Sequence, residues 1–348
     1  MEWWKSYWVN RATIIKQSNP EDSTAEIQAA LDGDEKLIVM PYTGTPWRTR
    51  PIQGRSNRKL VIEQGVELSD TEDGYEDKAV PMITADRLVG FEIKGYGATL
   101  RMNKAKYAAL ADGEWRAGVA FYGCTSSSLH GLSIIGTGGD CVYIGRNCQG
   151  IKVIDVLGSE AYRNGLSITG ADDILVDGCT FANASGTNPQ TGIDIEPNPG
   201  KSCTRIRVVN THCVGSIWQY ICNARIERVT AAFHDCLAEG GAGGYHVTGP
   251  QNVDSDPNTT IKFYDCVARN HRGCAVEIKN KRAELGEVLF TQCDLSAAGP
   301  AVFLSLNTAG LAAMEIFGGV TFENCITSEP RVQIYNAPAA NARYEWKN

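Results

Sequence analysis

Apolar residues in this chain recur at every second position in short runs, and the runs are broken by Gly, Asn or Asp rather than by stretches of helical period. A period of two is the signature of strands. From about residue 128 the runs fall into rows, each with an apolar-x-apolar strand, a short polar turn and a second strand ending near Cys or Asn. The second strands read Ile174-Leu-Val-Asp-Gly-Cys179, Phe233-His-Asp-Cys236, Phe263-Tyr-Asp-Cys266, Phe290-Thr-Gln-Cys293 and Phe322-Glu-Asn-Cys325. Their cysteines are spaced 30, 27 and 32 over the last four rows and 57 from Cys179 to Cys236, where a row without Cys, Ile206 to Thr211, fits between. A period near 30 with two or three strands per repeat predicts parallel strands stacked rung on rung, a β-helix. The aligned cysteines follow inward-facing positions, so a buried ladder of thiols is expected rather than disulfides. Asp235, Asp265 and Asn324 before them suit a bend in which an Asx side chain bonds its own backbone.

The N-terminal part reads differently. Ser23-Thr-Ala-Glu26 forms a capping box ahead of Ile27, Ala30 and Leu31, predicting a helix over 24–31 that stops at Gly33 and closes the open end of the solenoid. Strands are expected at 37–42 and 59–68, then an acidic loop at 70–77, with regular coils from near Phe91. The expected organisation is a cap with first strands over 1–85 and one continuous β-helix over 86–340.

Composition narrows the class. The chain has 348 residues, 43% apolar and 21% charged, enough to bury a large core. Its net charge of −7, from 40 acidic and 33 basic residues without a dense basic block, disfavours a nucleic-acid partner. No apolar run approaches the ~18 residues of a membrane span, and Met1-Glu2-Trp3-Trp4-Lys5 lacks a secretory pattern. The expectation is either a cytoplasmic chain or an exported one whose signal has been removed. Twelve cysteines without a single Cys-x-x-Cys argue against zinc ribbons and redox pairs, and 36 glycines suit many tight turns.

The 24–31 helix, the 51–66 stretch beginning Pro51-Ile-Gln-Gly, Gly136-Thr-Gly-Gly-Asp140 and the stacked Cys/Asn rows together resemble the right-handed parallel β-helix superfamily of pectin-lyase-like carbohydrate-active proteins. The likeness covers roughly residues 20–327. It implies an all-β, right-handed, single-stranded parallel β-helix with a short N-terminal capping helix. It also implies a polysaccharide or oligosaccharide partner, but not one reaction, because the superfamily spans lyases, glycoside hydrolases, epimerases and phage depolymerases.

Aligning the first strands of the rows places Tyr143, Ser167, Asp194, Cys222, His246, Glu277 and Phe303 in one outward column, with Thr169, Glu196, Thr248, Lys279 and Ser305 in the next. Asp194 and Glu196, two residues apart on one strand, point the same way with Cα atoms ~6.5–7 Å apart. That spacing is near the ~6.5–9.5 Å carboxyl separation of inverting glycosidases, and mutual repulsion would raise one pKa and leave the other ionised. The leading expectation is therefore a glycoside hydrolase with Asp194 and Glu196 catalytic and no cofactor. Tyr143, Tyr162, Arg163, Trp218, Tyr220, His246, Arg272, Glu277 and Lys279 would bind sugar units. The resemblance implies a second option, a uronate lyase or epimerase with Ca²⁺ on Asp194 and Glu196 and Lys279 or Arg272 as base. The base then stands three rungs, ~14 Å, from the pair. Glu114-Trp115-Arg116 would lie over the groove or form a surface ion pair, and Asp140 would accept a sugar hydroxyl or cap its turn. A third option, of another class, is a non-catalytic carbohydrate-binding or spike-like β-helix, for which a homotrimer is conceivable.

Overall fold

The computed structural model describes residues 12–76, 80–110, 113–251, 254–296, 299–305, 316–336 and 339–348. Three long sheets run the length of the molecule. The first has thirteen strands, from Ala12–Ile14 to Ala342–Lys347. The second has eleven, from Ile52–Gln53 to Val332–Tyr335, and the third eleven, from Trp47–Thr49 to Ile326–Thr327. The named strands pair in parallel throughout, and each coil supplies one strand to each sheet in turn: Leu166–Ile168 to the second, Ala171–Asp177 to the first, Thr180–Ala182 to the third, then Thr191–Ile195 to the next rung of the second. This is the expected right-handed parallel β-helix. Its rungs begin at Ala12–Ile14, which pairs with Leu37–Met40, well before Phe91.

The interior follows from the period-two pattern. Phe233, Phe263, Phe290 and Phe322 occupy one inward position on successive rungs of the first sheet, and their rings stack at 4.7, 4.3 and 5.1 Å, ending on Trp346 at 4.4 Å. All twelve cysteines are free thiols. In the aligned rows each Sγ donates to a carbonyl of the preceding rung: Cys179 to Val153, Cys236 to Val208, Cys266 to Phe233, Cys293 to Phe263 and Cys325 to Phe290, at 3.4–3.6 Å. The bend before each Cys has a different origin from the one expected. Asp235, Asp265 and Asn324 are left-handed, with φ of 53°, 52° and 52°, a conformation that Asn and Asp adopt more readily than most residues. Their backbone N–H groups bond the next rung, to Tyr264, Thr291 and Lys347.

The N-terminal helix spans Thr24–Asp32, buries Ile27, Ala30 and Leu31, and packs on strands Leu37–Met40 and Ile52–Gln53, closing that end. Ser23 is the N-cap residue, yet the capping box does not form. The Ser23 hydroxyl donates to Asn19 O, and the Glu26 carboxylate is taken by the Ser18 side chain. Thr24 N–H is satisfied by Asp22 instead. The single strand expected over 59–68 is two, Lys59–Ile62 and Glu67–Asp70, separated by a turn at Gly65 (φ 85°) that carries the chain to the third sheet. Residues 70–76 of the acidic loop are described, whereas Asp77 and the Met1–Lys5 start lie outside the described residues. Among the described residues no helix is long and apolar enough to cross a membrane.

Candidate functional site

The outward face of the second sheet carries the chemistry that the sequence pointed to. Pairing places Tyr143 beside Ser167, Ser167 beside Asp194, His246 beside Glu277, and Glu277 beside Phe303. The row between Asp194 and His246 is shifted by one residue from the expected alignment. Asp194 pairs with Ile221, and Cys222 pairs with Ile195 inside the core, 1% exposed. The same shift turns Tyr220 inward. It is 1% exposed, stacks on Tyr245 at 5.1 Å and donates its hydroxyl to Thr211 O at 2.6 Å, so it is a core residue and not a sugar contact. The strand runs Trp218–Asn223, and the aromatic at 220 fills the corner position that Ile193 and Tyr245 fill on the rungs either side.

The expected open sheet face is closed around the acid pair. Ser167 is 0% exposed and Asp194 2%, while Glu196, just beyond the end of strand Thr191–Ile195, is half-buried. Asp194 sits between Ser167 and Ile221, so one of its flanks is apolar. Its Oδ1 has no hydrogen-bond partner, and its Oδ2 accepts only a long contact, 3.4 Å, from Asn164 Nδ2. Burial first, and then the charges of Glu196 and Asp140, push the Asp194 carboxyl up to about 8 despite the opposing pull of Arg163.

Asp140, which the sequence left without a firm role, belongs to the same cluster. Its Oδ1 accepts Asn164 N–H at 3.1 Å, and its Oδ2 lies 3.7 Å from the Arg163 guanidinium. Burial raises its carboxyl to about 6, offset in part by Arg163. Asn164, 0% exposed, ties the cluster together: its amide nitrogen reaches Ser167 Oγ at 3.0 Å and Asp194, while its oxygen accepts Thr191 N–H at 3.1 Å. Arg163 is thus turned toward carboxylates. Asp140 is raised least because the fixed cation is closest to it. The signal for Asp140 and Asn164 was present as polar residues in turns at the mouths of consecutive rungs, but strand alternation says nothing about where turn side chains point.

The tight turn beside Asp140 explains its glycines. The segment Gly113–Trp115 packs over it so closely that a Cβ on Gly139 would stand 2.3 Å from Glu114 O. Glu114 therefore reaches the rim, where its charge faces Asp140 and Arg163. Arg116 is 2% exposed and donates to Tyr75 O at 2.7 Å and Glu76 O at 3.2 Å, so it is buried beneath the groove and not laid over it. Tyr162 lies against the backbone of Gly186, and Tyr143 donates to or accepts from Thr169 at 2.6 Å with its ring tilted on Tyr122.

A second group gathers toward the C-terminal end. His246 Nδ1 and Glu277 Oε2 are 2.8 Å apart, His246 Nε2 is 3.0 Å from Thr248, and the Trp218 ring meets the imidazole edge-on at 4.9 Å. Burial pushes Glu277 up, but the bond to His246 and the His246 and Lys279 charges outweigh it and hold the carboxyl below its usual range. At ~4.8 Å per rung this group stands about 10–14 Å from Asp194, so one reacting carbon cannot touch both. Lys279 and Arg272 stay with this second group.

Glu196 Oε1 is taken by Asn223 Nδ2 at 2.7 Å, and among the described residues no three His, Cys, Asp or Glu side chains are grouped to hold a metal ion.

No family model matches this sequence, and no curated protein does. Solved structures do. A polygalacturonase from Erwinia carotovora ssp. carotovora superposes with a TM-score of 0.71 at 14% identity, covering 96% of each chain. The A-module of a mannuronan C-5 epimerase from Azotobacter vinelandii gives 0.72 at 13%, covering 96% of this chain and 93% of that one. The tailspike of E. coli bacteriophage HK620, solved with a pentasaccharide, gives 0.70 at 15%, covering 97% and 66%. At these identities the likeness is one of fold, and it joins the three parallel sheets and the N-terminal helix in a single conclusion: the chain is a right-handed parallel β-helix.

Proposed function

We propose that this protein is a polysaccharide-active enzyme, a glycoside hydrolase in which Asp194 is the general acid and Glu196 the base that activates water. The observation that carries the reading is Asp194 itself, a carboxyl 2% exposed with one oxygen unpartnered, held beside a second, half-exposed carboxylate. Buried carboxyls are ordinarily hydrogen-bonded, and an orphan oxygen is a place for a ligand atom. Kept protonated by its surroundings, Asp194 can donate to a leaving glycosidic oxygen. Glu196, near water, takes a proton from the attacking molecule, and the acid and base roles are divided by environment. Asp140 and Arg163 set the local field. Arg163, with 21% of its side chain exposed, is less buried than Asp140 and Asp194 and offers its guanidinium at the mouth of the cluster. The β-helical neighbours include a polygalacturonase, a mannuronan epimerase and a tailspike solved with a pentasaccharide, which supports a glycan as the substrate class.

The test is incubation with neutral and uronic-acid polysaccharides, with and without EDTA, following reducing ends and the absorbance of unsaturated uronates. New reducing ends without absorbance and without an EDTA effect are expected. EDTA-sensitive absorbance would replace the hydrolase with a lyase, and silence in both channels would leave a binding or structural β-helix.

A further inference from the structure

The stacked cysteines are nucleophiles that the proposed reaction does not use. At the bend from the first sheet to the third, Cys236, Cys266, Cys293 and Cys325 hold one position on four successive rungs. The register is the same on either side of them: Phe233, Phe263, Phe290 and Phe322 pair in turn before the bend, and Leu237, Val267, Asp294 and Ile326 after it. Their side chains therefore repeat at the ~4.8 Å rung spacing. Each thiol interacts with the next, Cys236 with Cys266, Cys266 with Cys293 and Cys293 with Cys325, and all four are free. A disulfide needs Cβ atoms ~3.5–4.5 Å apart, and backbone pairing on both sides of the bend opposes that approach. An ion fits where the disulfide does not. Metal–thiolate bonds are ~2.3 Å long, so a linear S–M–S unit spans ~4.6 Å, close to the rung spacing.

We propose that this ladder binds soft monovalent ions, cuprous or silver, in line between successive sulfurs, one between Cys236 and Cys266 and one between Cys293 and Cys325. Each ion forms two metal–sulfur bonds and displaces one S–H proton to water. A thiolate and a thiol around a single positive charge stay neutral, as a core without water requires. The displaced protons leave no acceptor stranded at the bend. Each Sγ reaches the carbonyl two residues back, that of His234, Tyr264, Thr291 or Glu323. Those carbonyls already accept the N–H groups of Asn210, Asp235, Asp265 and Gln292. Zinc is excluded by ligand number: it takes four, and among the described residues no three His, Cys, Asp or Glu gather for a metal. Entry is from one end, because Cys325 alone of the twelve cysteines is not fully buried. The ladder lies inside the solenoid, and nothing in its chemistry depends on the acid pair at Asp194.

The experiment is native mass spectrometry of the reduced full chain, mixed with silver nitrate or with zinc acetate in a buffer free of oxygen and chloride. The ladder is expected to retain two silver ions and no zinc. Cys266→Ala or Cys325→Ala should each remove one silver ion, and Cys266→Ala combined with Cys293→Ala should remove both. Cys274→Ala, a thiol outside the ladder, should remove none. Circular dichroism shows which variants are folded, and Cys325→Ala, at the partly exposed end, keeps the test decisive if the interior variants do not fold. A silver count that folded Cys266→Ala and Cys325→Ala leave unchanged overturns the ladder as a site. So does a chain that takes up silver only once denatured, or not at all. Zinc retained in equal number and lost with the same variants overturns the two-coordinate geometry.

Discussion

Asp194 is where burial and charge do most. Replacing it with Asn removes the proton that the leaving group needs, and kcat is expected to fall by about 10²–10⁴ with little change in KM. The pH profile follows from the same group. A general acid held up to about 8 loses its proton above that pH, so kcat/KM should decline on an alkaline limb near 8, measurable on any cleaved polymer. Stability moves in the opposite sense to the usual carboxylate. The folded state keeps its proton up to about 8 while the unfolded chain releases it near 4, so the folded state binds more protons between those values, and stability falls as pH rises through that window. Asp140, raised to about 6, adds to the fall between about 4 and 6. Asp194→Asn is therefore expected to be more stable than wild type at pH 8.5, by on the order of 5 kcal/mol, with much of the gain gone at pH 4. Equal differences at both pH values would show that Asp194 is not held protonated.

At the scale of elements, the molecule is a set of ladders in which one residue type solves the same problem on every rung. The Phe233, Phe263, Phe290 and Phe322 stack fills the interior along one edge, so Phe263→Ala, with a ring on either side, should cost about 3–5 kcal/mol in denaturant unfolding. Asp265→Val places a β-branched residue at a left-handed bend and should also destabilise, whereas Asp265→Gly should not. The ladder also shows how far sequence reading reached. Strand alternation, the Cys rows and Asp194, Glu196, His246 and Glu277 on one face were legible because period two leaves only two faces to choose from. The Trp218–Asn223 row was misread because Tyr220, Ile221 and Cys222 are all apolar enough to face inward, so hydropathy could not choose the register. Hydrogen bonding did, by giving the Tyr220 hydroxyl the corner carbonyl of Thr211. The capping box failed for a similar reason: its Glu26 found a nearer partner in Ser18, which lies outside the motif.

For the whole molecule, stacking in one dimension makes the ends matter. The helix Thr24–Asp32 covers the first rungs with Ile27 and Leu31, both 0% exposed. A Leu31→Asp variant should lose that cap, lower the melting temperature and increase aggregation through the uncovered strand edges, as read by light scattering on heating. What the sequence by itself determined is the repeat: the period of about 30, the inward alternation and the helical cap specify a parallel β-helix, because burying one face of every strand leaves few other ways to stack them. What only the tertiary structure decided is the chemistry at the corners. Turn residues such as Asp140, Arg163 and Asn164 have no period to betray their direction. Their meeting with Asp194 depends on how far one rung is offset from the next, and on how deeply the loops above bury them, and neither is written in the local pattern of apolar and polar positions.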